Sequence, residues 1–180
     1  MKRLLSGLIV VATLALIAPL AGQAKGKDDE GLQVRLVLPV NFADPTPDCP
    51  GGVVTFGLAW SGKSGTGQNC FAADFAPTAT CPADALFCQQ APMLLTLSLP
   101  GGVIQADAHL VETWRCGDSA CTVLAVDQRW PGTVTDATGR FHDLKGATVS
   151  GGGIFAFNAT TFELVTFDEV LVIGGDEDDD

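Results

Sequence analysis

Tyrosine is absent from this chain, histidine and methionine occur twice each, and only 10 lysines and arginines stand against 21 aspartates and glutamates. The shortage of cations excludes nucleic acid and anionic membrane surfaces as partners, because a formal net charge of -11 repels both. No C-x-x-C pair occurs and His109 and His142 lie far apart in sequence, so neither a zinc site nor any other metal or cofactor is expected. His142 and Asp143 have no serine in a nucleophile elbow near them, which leaves a hydrolase triad without support. His109 shares a strand face with Gln105 and Asp107, away from the apolar positions, and reads as solvated. Helical periodicity is equally scarce: only Pro82 to Gln89 reads as a helix, for about two turns.

What is present begins with an export signal. Lys2 and Arg3 precede the apolar run Leu4 to Leu20, and Gly22 to Ala24 supply the small residues of a cleavage site, so residues 1–24 read as a signal peptide cut near Ala24. Ser6, Gly7, Thr13 and Pro19 break the run too often for a membrane span, and the absence of a cysteine near the cut excludes a lipid anchor. The mature protein is then secreted or periplasmic, with no membrane span. In that compartment its six cysteines form disulfides. Cys116 and Cys121 flank a four-residue loop between two apolar runs and pair; Cys81 with Cys88 and Cys49 with Cys70 complete the set. Residues 25–174 are long enough for one core, and residues 175–180 form an acidic tail with nothing to bury, expected to be disordered. The tail lacks the alternating ligands, central glycine and distal glutamate of a calcium loop.

Through the domain, apolar residues recur with period two and turn residues interrupt them roughly every ten positions. Leu32, Val34, Leu36, Leu38 and Val40 share one face of a first strand; Val54, Phe56, Leu58 and Trp60 share one face of a second; Met93, Leu95, Leu97 and Leu99 define a third. Further strands are expected over 103–115, 121–130, 146–157 and 161–173, with 61–92 an irregular excursion pinned by disulfides. The predicted fold is all-β: a single antiparallel β-barrel of about eight strands, disulfide-stapled, with little helix.

Gly57 to Ser64, GLAWSGKS, satisfies the phosphate-loop pattern, but the residues that follow are unfit to start a helix and Gly57 falls inside the strand alternation, so the match is accidental. Glu112 is the catalytic candidate. It shares a strand face with Ile104, Ala106, Ala108, Leu110 and Trp114. Facing inward it is a carboxylate in an apolar cavity, suited to acid or base work; facing the barrel mouth it pairs with Arg115 or Arg129. For the hairpin around Cys116 and Cys121 the sequence favours a bulge at Gly117 that sets Trp114 by Leu124 and Glu112 by Val126. Trp60, Trp114 and Trp130 are the ligand-binding candidates, as core or cavity wall. Asn158, Ala159 and Thr160 form a glycosylation sequon, relevant in a eukaryotic host.

The segment Thr138 to Gly153, TGRFHDLKGATVSGGG, resembles one that recurs in exported bacterial proteins related to the allene oxide cyclase and dirigent-like barrels; Gly139, Phe141 and Gly146 carry the match. The resemblance implies an eight-stranded barrel with an apolar cavity, often oligomeric, in relatives that cyclise a fatty-acid epoxide or guide radical coupling. It transfers no catalytic residue. Three functions follow as expectations: a binding module for a small apolar or amphipathic ligand, with no chemistry of its own; a cavity-based isomerase or cyclase using Glu112; or a surface or matrix structural protein in which the acidic tail serves adhesion.

Overall fold

The computed structural model describes residues 31–174, so residues 1–24, read as an export signal, and the acidic residues 175–180, expected to be disordered, lie outside the described residues. Ten strands form in chain order: β1 (Leu32–Ala43), β2 (Val53–Trp60), β3 (Lys63–Phe71), β4 (Ala76–Pro77), β5 (Phe87–Leu99), β6 (Gly102–Cys116), β7 (Val123–Arg129), β8 (Gly132–Ala137), β9 (Thr148–Asn158) and β10 (Leu164–Ile173). Eight of them, β1, β2, β3, β5, β6, β7, β9 and β10, pair antiparallel in that order and close when β10 returns to β1. The first half of β6 pairs with β8 and its second half with β7, so those two short strands share one position in the wall. β4 adds a two-residue fringe to β5.

The period-two alternation explains the closure. Inward positions carry Val34, Leu58, Leu95, Leu97, Ile104, Leu171 and Ile173, all fully buried. Each such side chain contributes roughly 1.5–3 kcal/mol by leaving water, and an open sheet would leave that face wet. Closure also removes the unpaired edges that a flat sheet would expose.

The segment Thr138 to Gly153 builds the closed end. Thr138 Oγ1 accepts the Val103 N–H at 2.9 Å, tying the chain to the start of β6. Gly139 follows with φ +60°, where a Cβ would stand 2.0 Å from the Gly101 carbonyl oxygen, so only glycine fits. The chain then makes a short 3-10 helix, Gly139–Leu144, that drops Phe141 into the barrel against Trp60, ring centroids 5.6 Å apart. The Arg140 guanidinium lies over the outer side of the same indole at 4.4 Å.

Several sequence expectations are corrected. Pro82 to Gln89 is not a helix: the Leu86 N–H bonds the Trp114 carbonyl at 2.8 Å, drawing the chain onto β6, and β5 has begun by Phe87. The excursion 61–92 contains β3 and the start of β5, because a face of glycines and polar residues pairs as a strand when both neighbours are strands. Leu38 does not continue the inward face of β1; the register shifts between Val37 and Val40 and leaves Leu38 exposed. GLAWSGKS is the β2–β3 hairpin, with Ser61 and Gly62 at φ 46° and 72° in the turn. The β6–β7 register differs from the bulged one expected from the sequence: Trp114 faces Val126 and Glu112 faces Gln128. Asp118 holds Thr122 through its backbone N–H and its hydroxyl, and the Gly117 N–H bonds the Val123 carbonyl, so the turn absorbs Cys121 and Thr122 and the partner strand slides by two.

The three disulfides are Cys49–Cys70, Cys81–Cys88 and Cys116–Cys121, and all lie at the end of the barrel opposite Phe141. Cys49–Cys70 closes a loop with a sequence separation of 21. The chain-entropy relation assigns such a loop roughly 3 kcal/mol. The double variant Cys49→Ser/Cys70→Ser is expected to melt roughly 6–12 °C lower in differential scanning calorimetry while keeping its β-rich circular dichroism. An unchanged melting temperature would refute a stabilising role for this crosslink.

Candidate functional site

Midway along the barrel the inward face changes from apolar to polar. In-register pairing sets Gln89 of β5 against Glu112 of β6, Glu112 against Gln128 of β7, Gln128 against Gly153 of β9, and Gly153 against Glu169 of β10. One layer of the wall thus presents two carboxyl groups and two amides. Gly153 makes room for this arrangement, since a Cβ there would lie 2.8 Å from Glu169 Cγ and 2.1 Å from the Asp168 carbonyl oxygen. Asn69 of β3 projects into the same region and, like both glutamates, is buried.

The two carboxyl groups have opposite surroundings. Glu112 accepts three hydrogen bonds, from Gln89 Nε2 at 2.5 Å, from Trp114 Nε1 at 3.0 Å and from Gln128 Nε2. Gln128 Oε1 in turn accepts the indole N–H of Trp130 at 3.1 Å. Glu169 is only 2 % exposed and its Oε1 meets no partner, as is also true of Asn69 Oδ1. Burial, reinforced by the nearby charge of Glu112, pushes the Glu169 carboxyl up to about 8. At neutral pH Glu169 therefore carries its proton, beside a carboxyl group that serves only as an acceptor.

Above this polar layer the barrel is hollow. A cavity of about 240 Å³, lined by Glu112, Glu169 and Asn69 and by Leu110 and Trp130 beside them, extends to the end that carries the disulfides. Its walls are aromatic: Phe56, Phe71, Trp114, Trp130, Phe155 and Phe157 all line it. Trp114 stacks on Phe157 at 6.1 Å and on Phe87 at 5.2 Å, and Phe42, 65 % exposed, stands at the rim 6.5 Å from Phe157. Among the described residues no lysine, arginine or histidine lines the cavity.

No protein-family model, curated protein or solved structure matches this chain.

The structure brings three sequence candidates together: Glu112 at the floor, Trp114 and Trp130 in the wall. Trp60 stands apart, at the closed end against Phe141 and Arg140. Neither arginine offered as a partner reaches Glu112; Arg115 pairs with Asp84 at 2.9 Å on the outside and Arg129 is exposed. His142 pairs with Asp143 at 2.8 Å on the surface, far from the cavity lining. Glu169, Asn69, Gln89 and Gln128 were not singled out from the sequence. For Glu169 a signal existed, because Phe167, Leu171 and Ile173 flank it with the same period two that marked Glu112. Asn69 sat in the segment read as irregular, and an isolated glutamine carries no comparable mark.

The raised Glu169 group makes stability depend on pH. Between its ordinary value of 4.5 and about 8 the folded protein holds a proton that the unfolded chain releases. Stability conferred by that proton is complete below the lower value, declines as pH rises through the window and levels off above it. Glu169→Gln is expected to flatten this decline, removing on the order of 5–10 °C of the melting-temperature difference between pH 5 and pH 9. Equal slopes in the two proteins would show that Glu169 is not the titrating group.

Proposed function

We propose that the protein is an exported binding module whose barrel takes up a small amphipathic ligand, apolar body against the aromatic wall and polar head on the glutamate floor. The observation that carries this reading is the pair of buried atoms, Glu169 Oε1 and Asn69 Oδ1, without partners in a mostly apolar cavity. Each unmade buried hydrogen bond costs about 1–3 kcal/mol, which a ligand with a complementary head would recover. A concave, mostly apolar chamber with a few convergent polar groups is the usual form of a small-molecule site. The disulfides are compatible with an oxidising compartment, in line with the export signal read from residues 1–24. The likeness of Thr138 to Gly153 to the allene oxide cyclase and dirigent-like group supports the same reading at the level of fold, since that group also encloses a cavity.

Native mass spectrometry of the purified protein, after incubation with lipid and metabolite extracts, is expected to show a retained small molecule. Leu110→Trp, which places an indole in the cavity, should abolish retention, whereas Trp60→Phe at the opposite end should not. Repeated failure to retain any molecule would overturn the proposal.

The carboxyl pair favours a second reading, a cavity-based isomerase or cyclase in which Glu169 donates a proton and Glu112 accepts one. Glu112→Gln would then abolish turnover of a fatty-acid epoxide while the variant keeps its β-rich circular dichroism; equal activity in both proteins would remove this mechanism.

A further inference from the structure

We propose that the ligand is an organic cation: a small hydrophobic amine whose ammonium group rests on Glu112, Glu169 and Asn69 and whose apolar body fills the aromatic chamber above. The inference rests on the binding-module reading and names the chemistry of its ligand. It begins from the sign of the site. Two carboxyl groups and an amide oxygen converge at the floor, and among the described residues no basic side chain lines the cavity to offset them. A ligand carboxylate placed there would be a third acid in an enclosed space with no cation to meet it, which excludes fatty acids bound head-down.

Asn69 Oδ1 is an acceptor, and Glu169 Oε1 becomes one once the carboxyl has lost its proton. A hydroxyl offers one hydrogen and can satisfy one of them; an ammonium offers three and can satisfy both while facing Glu112. The walls add a second attraction of the same sign, because the faces of Trp114, Trp130, Phe56 and Phe155 present negative quadrupoles to a cation drawn out of water. The formal net charge of -11 steers cations toward the mouth. Size limits the ligand as well: a cavity of about 150 Å³ holds benzene, so 240 Å³ suits one ring with a short arm.

Binding of such a cation displaces a proton. Glu169 is protonated near neutrality because it is buried and faces Glu112. Glu112 is the titratable group directed at it from β6, and Gln89 of β5, Gln128 of β7 and Asn69 of β3 are uncharged. An ammonium beside Glu169 favours its ionised form, so the proton leaves as the ligand enters and affinity rises with pH up to about 8.

Isothermal titration of the purified protein with phenethylamine, phenethyl alcohol and phenylacetate, at pH 6 and pH 8 and in two buffers of different ionisation enthalpy, tests this. Phenethylamine is expected to bind at least tenfold more tightly than the alcohol at pH 8, to release up to one proton, and to gain about tenfold in affinity from pH 6 to pH 8. Phenylacetate is expected not to bind. Glu169→Gln should fold, melt at pH 6 like the parent, retain the alcohol and lose both the preference for amine and its pH dependence. Alcohol bound as tightly as amine, phenylacetate bound at all, or an undiminished amine preference in Glu169→Gln would overturn the cation assignment while leaving the cavity reading intact. Failure of all three compounds to bind would remove both.

Discussion

The carboxylate of Glu112 joins three strands of the barrel through side chains alone: Gln89 of β5, Trp114 of β6 itself and Gln128 of β7 all donate to it. Gln128 passes the connection on to Trp130. Removing the acceptor would strand three buried or half-buried donors at once, each costing about 1–3 kcal/mol, so this one group fixes the orientation of the amides and indoles that shape the cavity. Toward the mouth from it, Trp114, Phe155 and Phe157 stand around the cavity.

The two ends of the barrel are secured by different means. The closed end is held by ordinary burial, with Phe141 inserted by the 3-10 helix and Trp60 packed over it. The hollow end cannot draw on a filled core, since every atom facing the cavity lacks a packing partner on that side. Its three disulfides stand at that end: Cys70 near the end of β3, Cys88 near the start of β5 and Cys116 at the end of β6. Crosslinks act largely on the unfolded chain and require no filled interior, so they stabilise the rim without closing the chamber.

Two glutamates in one layer behave differently because their neighbours differ. Glu112 is surrounded by donors, whereas Glu169 is surrounded by the glycine gap at Gly153, by apolar side chains and by the charge of Glu112. The barrel thereby holds a neutral acid beside a fully hydrogen-bonded acceptor.

Much of this protein is written in its period-two pattern. Alternation along β2, β5 and β6 specifies strands, and an apolar face with no cover other than itself specifies closure; the short loop between Cys116 and Cys121 was enough to pair those two, and the other pairs expected are also formed. The same alternation placed Glu112 on the apolar face of its strand. What the sequence could not disclose is which polar residues meet. Gln89, Glu112, Gln128 and Glu169 are separated by as many as 80 positions in the chain and become neighbours only because strand register around a closed ring aligns them, and register was settled by local events such as the Asp118 turn and the bulge at Leu38. Local patterning thus determined the strands and the closed wall, while only the tertiary structure decided the chemistry of the interior, because a side chain's partners across a barrel depend on the registers of every strand between them.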